Sequence, residues 1–378
     1  MPNSPHTIDT LFASLVTDIN FAMPTADEFP MSLWKDMANH DLLKKYSADK
    51  TAYRDIAAAG LTLTRLCAYP GLTMTWLGQL LKVRFLKRYA DHAQDCISSI
   101  LSGDSLCAMA ISEPQAGAHP KHLTCTAEQR DGYFILNGEK AYVSHGPYAD
   151  WFIVLAITSV FADKKQFSAF LIHKTQAGLS LGSGEQSTRL APSSHCNITF
   201  NQCRVADKAL IGTPGQAFEE ISKPMRTLED VLMLAPIAGA IHMQLSLLAD
   251  YGRDEIDLDI LGRCLCLADS AAELGLLSAQ KLDQNTELPD LTTLIIGTRT
   301  LIDEVQTHLA PWLSLQPRLE ALFNDIQLLS SIGQSATKVR IRSLTEQYLS
   351  QRRHLPQKGL ADKNLSSNLY STKSNDLR

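Results

Sequence analysis

Residues 109–123 read MAISEPQAGAHPKHL: an apolar run that breaks at Glu113-Pro114, turns at Gly117 and ends in a cluster of His119, Pro120, Lys121 and His122. Pro and Gly so placed end a regular element and open a loop. An apolar segment therefore delivers a polar loop at this point, and the sequence on either side decides what that loop serves.

Upstream, from residue 8 to about 104, PMSLWKDMANHDLLKKY and TMTWLGQLLKVRFLKRYADHAQDCISSIL place apolar residues three and four apart between charges, which predicts amphipathic helices. Pro70-Gly71 punctuates this segment and Gly103-Asp104 ends it. Between about 105 and 210 the period becomes two, in GYFILNGEKAYVSH, DWFIVLAIT, FSAFLIHK and HCNITFNQCRV, all rich in aromatic and β-branched residues. Asn137-Gly138 supplies the dipeptide that a type I′ turn favours, so a hairpin is expected there. After Gly212-Thr213-Pro214-Gly215 the helical period returns, with Phe218, Ile221, Met225, Leu228, Leu232, Ala235 and Gly239 in steps of three and four. Pro224 and Pro236 inside that run are expected to kink or break it. The reading is an α+β chain: an N-terminal helical domain (1–104), a central β-barrel or sandwich domain (105–212), a C-terminal helical bundle (213–350) and a mobile tail (351–378).

Composition agrees with several packed units around a sizeable core: 378 residues, 45% hydrophobic and 20% charged, with a net charge of -5. No basic patch marks a nucleic-acid partner. No basic flank precedes an apolar stretch at the start, and no uninterrupted apolar run of roughly 18 residues suggests a membrane span, so the expected location is cytoplasmic. Of the cysteines at 67, 96, 107, 125, 196, 203, 264 and 266, only the last two are neighbours, at a spacing that fits no zinc pattern; buried, reduced thiols and no metal are expected.

Helices, then a β domain, then helices, joined by these loops, resemble the acyl-CoA dehydrogenase family of flavoenzymes. Ala110-Ile111-Ser112-Glu113-Pro114-Gln115-Ala116-Gly117 is similar to the family's A-x-T-E-P-x-A-G, and Asn137-Gly138-Glu139-Lys140-Ala141-Tyr142-Val143-Ser144 to N-G-x-K-x-W-I-T. FSAFLIHKTQAGLSLG resembles the strand and turn next in the family's order. The resemblance spans roughly residues 25 to 250. It implies FAD, with Met109, Ile111 and Ser112 against the isoalloxazine from one loop and Tyr142, Val143 and Ser144 from the other. Ser keeps a hydroxyl donor and Tyr an aromatic face where the family has Thr and Trp.

The resemblance also implies α,β-dehydrogenation of an acyl thioester, carried by CoA or an acyl carrier protein, with electrons passed to an electron-transfer flavoprotein. That chemistry needs a carboxylate base in a dry pocket, where desolvation lifts its pKa toward the operating pH. The family's E-G-T or E-G-S stretch is absent. Its other position for the base falls, in RTLEDVLMLAPIAGA, on Glu229, ten residues before Gly239. Glu229 borders the apolar helix face, which fits either a base aimed into a pocket or a solvated side chain paired with Arg226.

Where the family has Arg after this Glu, the chain has Asp230, and the family's G-S-D becomes Gly117-Ala118-His119. Gly117, Ala118, His119 and Arg226 are the expected substrate contacts. His119, Lys121 and His122 fit either CoA phosphates or a solvated basic loop. The stretches that reach FAD from a neighbouring subunit are not recognisable; Arg253 lies near one but out of register. Two functions therefore stand from the sequence: a dehydrogenase, forming dimers or tetramers through its last domain, and a degenerate homologue that binds acyl-CoA or acts as the partner of a related subunit in a heteromer.

Overall fold

The computed structural model describes Phe12 and residues 29–182, 189–251, 256–285, 288–332 and 334–353. The chain divides into two units, residues 1–333 and 334–378. The second contains α11 (Gln334–Arg353), largely exposed and carrying an Arg342–Glu346 pair at 3.0 Å. The tail expected at 351–378 lies, beyond Arg353, outside the described residues.

Among the described residues from 29 onward, five helices precede the strands: α1 (Met31–Asn39), α2 (Leu42–Tyr46), α3 (Tyr53–Cys67), α4 (Pro70–Tyr89) and α5 (Gln94–Leu101). Pro70 opens α4 at a position where its missing N–H costs nothing. Gly71 is needed for close approach, since a Cβ there would lie 2.0 Å from the Leu190 carbonyl oxygen.

Among the described residues eight strands come next: β1 (Cys107–Ala110), β2 (Thr126–Arg130), β3 (Tyr133–Ser144), β4 (Trp151–Phe161), β5 (Lys164–His173), β6 (Leu179–Leu181), β7 (His195–Ala206) and β8 (Leu210–Ile211). They form one mixed sheet in the order β6-β7-β3-β2-β4-β5-β8, with β1 parallel to β4. The period of two decides what each face touches. Phe152, Val154, Ala156, Phe170 and Ile172 join a core formed within the β region, whereas Ile153, Leu155, Phe167, Ala169 and Leu171 join the core shared with the helices.

Asn137-Gly138 makes no turn. The β2–β3 hairpin closes on Asp131-Gly132, and β3 runs on through Asn137-Gly138 with a bulge. Two contacts distant in sequence explain this. A Cβ on Gly138 would meet the Cys125 Cα at 2.8 Å, and Asn137 Oδ1 accepts from the backbone N–H of Gln202 at 2.8 Å. The dipeptide's tolerance of unusual φ serves close approach and a bulge instead.

A π-helical turn (Phe218–Ser222) leads into α6 (Lys223–Leu232) and α7 (Leu234–Tyr251), and the chain continues through α8 (Leu258–Asp283), α9 (Leu288–Leu309) and α10 (Pro317–Ser331). Pro224 falls at the start of α6 and Pro236 in the first turn of α7, just after the break at Met233, as proline's lost N–H requires. The segment Phe218–Tyr251 is long and apolar enough to cross a membrane by length and composition, but 78% of its apolar window is buried in the protein core. It packs between α3 and α8. The approach is close because Gly239 faces the Leu61 carbonyl and Gly275 the Ala235 backbone, each leaving 2.7 Å for a Cβ. All eight cysteines are free thiols, seven of them buried and Cys266 exposed.

Candidate functional site

One cavity of about 300 Å³ lies where α4, the β1 end, the β3 end, α6, α7, α9 and α10 converge. That volume is at the lower end of small-molecule sites, roughly 300–1,000 Å³. Helical spacing builds two of its walls. Met74, Gly78 and Lys82 recur every four residues on α4, and Ser222, Met225, Arg226, Glu229, Asp230 and Met233 share one face of the π turn and α6.

The third wall is the segment 109–118, where the β1 strand gives way to its polar loop. Met109 and Ile111 point toward the cavity while Ala108 and Ala110 point into the β core, the alternation of a strand. A buried ion pair shapes the loop beyond Ser112. Glu113 Oε1 accepts from Lys140 Nζ at 2.9 Å and from the Cys125 N–H at 3.0 Å, and Oε2 accepts from the Thr124 N–H at 2.6 Å and its hydroxyl at 2.8 Å. Lys140 also donates to the Ile111 carbonyl at 3.1 Å. Burial alone would raise the Glu113 pKa, but the hydrogen bond and charge of Lys140, with the two backbone N–H groups, hold it below the ordinary value. Ser112 is thus clamped on both sides, its carbonyl also accepting from the Ala141 N–H at 2.9 Å.

The fourth wall is the end of β3. Between Lys140 and Val143 this strand has one residue more than β7, and the bulge puts Tyr142 at φ 56 with 63% of its surface exposed. An exposed aromatic ring on a left-handed backbone is costly unless the surroundings fix it or use it. Ser144 is hydrogen-bonded to His195 Nε2 at 3.0 Å. The Ser112 hydroxyl makes no hydrogen bond within the described residues. A flat exposed ring, a clamped free hydroxyl and two apolar side chains fit one side of a flavin ring.

Met109, Ile111, Ser112, Ala118, Tyr142, Ser144, Arg226 and Glu229 therefore meet in one cavity. Val143 does not: its side chain is 1% exposed and belongs to the β core, so the expected side-chain contact with the ring is corrected. Gly117, at φ 55, and His119 are exposed and outside the lining, on either side of Ala118. The His119 and His122 rings pack against each other instead, centroids 4.9 Å apart and tilted by 38°. Arg253 lies outside the described residues.

Glu229 lines the cavity with its side chain exposed to solvent there. Burial raises its pKa; Lys82 opposes this, Asp230 adds to it and Arg226 opposes it. Arg226 is not paired with Glu229. It lies 3.8 Å from Asp230, which Arg299 of α9 also approaches at 3.5 Å, so the Asp that replaces the family's Arg is a buried tie between helices.

Two cavity residues carry no functional signal in the sequence. Lys82 is 4% exposed, and burial lowers its pKa. Its only mark is its place four and eight residues after Gly78 and Met74, on a face that reads as core. His145 comes directly after Ser144 and is held by Thr75, 2.6 Å from Nε2. Thr75 donates its own proton to the Gly71 carbonyl at 2.8 Å, so Nε2–H is the donor and Nδ1 the bare acceptor. Burial, then the charge of Lys82, lowers the His145 pKa well below 6.5, and it stays neutral at pH 7.

Residues 108–203 match the family described as acyl-CoA dehydrogenase, middle domain. The chain is 30% identical over 201 residues to a mitochondrial short-chain specific acyl-CoA dehydrogenase of Mus musculus, covering 50% of this chain and 48% of that protein. It is 26% identical over 250 residues to an acyl-CoA dehydrogenase of Bacillus subtilis, covering 62% of this chain and 63% of that one. The chain spans about half the length of the curated relatives it matches. The structure of butyryl-CoA dehydrogenase from Megasphaera elsdenii superposes with a TM-score of 0.75 at 16% identity, over 92% of this chain and 100% of that one. That likeness establishes the three-part fold.

Proposed function

Taking the chain as a divergent member of the acyl-CoA dehydrogenase family, we propose that it desaturates an acyl thioester at the α,β bond, with Glu229 as the base. The observation that carries this reading is the placement of Glu229 in one cavity with Ser112, Tyr142 and Ser144. Its pKa is raised toward the range where a carboxylate accepts a proton and later releases it. Met109, Ile111, Ser112, Tyr142 and Ser144 would hold the flavin ring. FAD, when bound there, supplies the acceptor for the hydride that leaves Cβ, and an electron-transfer flavoprotein is the class of partner that takes the electrons onward. Glu229 removes the α proton, so the base must face the thioester and not a neighbouring arginine. The Arg226 and Arg299 contacts with Asp230 leave it that freedom. The helical, β and helical parts of residues 1–333 then act as walls of one site, and we assign self-association to the last expected domain, 213–350.

The degenerate, acyl-CoA-binding alternative has one observation in its favour: Asp230 stands where the resembling family carries a cation beside the base. A spectrum decides between the two. Purified protein should show flavin bands between about 350 and 500 nm, or acquire them on adding FAD, and an acyl-CoA should bleach them. Glu229→Gln should keep the bands and lose turnover. Full turnover in that variant removes Glu229 from the role, and a protein that takes up no FAD favours the alternative.

A further inference from the structure

Desaturation with Glu229 as base gives Lys82 no task. This residue lies on the cavity face of α4, in line with Gly78 and Met74, and is 4% exposed. Long helical side chains lean toward the preceding turn, and the glycine there makes the room: a Cβ on Gly78 would lie 3.1 Å from Lys82 Nζ. No hydrogen bond or close ion pair to Nζ forms among the described residues; its charge is felt at longer range by Glu229, Cys107 and His145.

A buried ammonium without an acceptor is costly, and such groups are normally paired. The cavity's own groups do not meet the need. Asp230 is taken by Arg226 and Arg299, and His145, held by Thr75 through Nε2, keeps its Nδ1 bare and accepts nothing from Lys82 among the described residues. Glu229 must stay available to the α carbon. Around Lys82 the same wall is apolar, with Met74 and Leu77. A guest that threads past Glu229 therefore meets, besides the two arginines that face Asp230, a third cation set in hydrocarbon.

We infer that Lys82 selects an acyl thioester whose chain carries a second carboxylate at its far end, the ammonium pairing with that carboxylate. The assignment rests on the proposed thioester chemistry and names its substrate class. It differs from a merely apolar acyl pocket in one respect, discrimination between chains of equal length with and without a terminal charge. A site built around a charged partner rejects the analogue that lacks it strongly, because its own group is then left unpaired.

The test is equilibrium binding by calorimetry to the full chain with FAD present, using glutaryl-CoA against pentanoyl-CoA and, separately, free glutarate against pentanoate. Wild type should hold the dicarboxylic member at least about tenfold tighter. Lys82→Met should erase or reverse that preference while pentanoyl-CoA binds as well or better. Gly78→Ala, which pushes on Nζ without removing the charge, should reduce the preference partway. Thermal unfolding confirms that both variants fold, and Lys82→Met should melt no lower than wild type. Equal preference in wild type and Lys82→Met, or a wild-type preference for the monocarboxylic chain, overturns the inference. If no thioester binds but glutarate is still preferred in a Lys82-dependent way, the thioester reading fails and the anion site stands. No preference in either series overturns the site itself.

Discussion

Replacing Glu113 tests the device that shapes the loop after β1, which we propose lies against the flavin. The carboxylate accepts four hydrogen bonds, from Lys140 Nζ, the N–H groups of Thr124 and Cys125 and the Thr124 hydroxyl, and both partners of the ion pair are no more than 3% exposed. Glu113→Ala leaves the Lys140 ammonium buried with only the Ile111 carbonyl to accept from it. Breaking a buried pair in this way costs about 3–5 kcal/mol, a large share of the roughly 5–15 kcal/mol that holds a domain folded. Lys140→Met orphans the carboxylate instead and should cost a similar amount. The double variant Glu113→Leu with Lys140→Met removes both charges and should be less destabilised than the sum of the singles by about 2 kcal/mol or more, the size expected for residues in one network. Thermal and urea unfolding read the result. Because the folded pKa of Glu113 lies below the ordinary 4.5, its contribution is present above that value and lost as pH falls through the folded pKa. Wild type should lose stability below about pH 4.5 more steeply than the double variant. Single substitutions costing less than about 1 kcal/mol, or strict additivity, would refute the reasoning, since the loop would then be held by something other than this pair.

Asp325, on α10, accepts from the Leu190 N–H at 2.6 Å, and burial raises its pKa from 3.8 to about 6. That shift costs up to about 3 kcal/mol once pH passes 6, so Asp325→Asn, which keeps the acceptor, should raise the melting temperature at pH 8 and leave it unchanged at pH 3.5; equal effects at both would contradict it. Glu229→Gln should likewise melt higher at pH 7 and show no gain at pH 4, because a carboxyl with a raised folded pKa loses stability as pH rises. In the active protein the rate should climb with pH through that same raised value, and a profile flat between pH 5 and 8 would argue against a titrating base. Gly138→Ala should destabilise by about 1–3 kcal/mol through overpacking against the Cys125 backbone; a neutral result would mean that β2 and β3 separate freely at the bulge.

What the sequence disclosed and what it concealed divide along the range of the interactions. The steps of three and four from Phe218 to Gly239 name a face that is buried or half-buried at every position, and the alternation in DWFIVLAIT sorts the residues of β4 between two cores. Both come from local geometry acting on hydrophobicity, which a single strand of letters carries in full. Asn137-Gly138 failed as a turn because its local preference is satisfied equally by a bulge, and the deciding contacts are Cys125 and Gln202. Asp230 read as a lost cation because Arg299 lies 69 residues further along the chain. Lys82 read as one of many helix lysines because only the arrival of β1 and α6 over α4 encloses it. The last two are linked in the folded chain: Asp230 occupies both arginines, which leaves Lys82 and Glu229 as the charges open to a guest. A substitution that freed an arginine, such as Asp230→Asn, should therefore weaken the demand on Lys82. It should leave a preference for a terminal carboxylate that Lys82→Met no longer erases, even though the new amide would touch no part of the guest's far end.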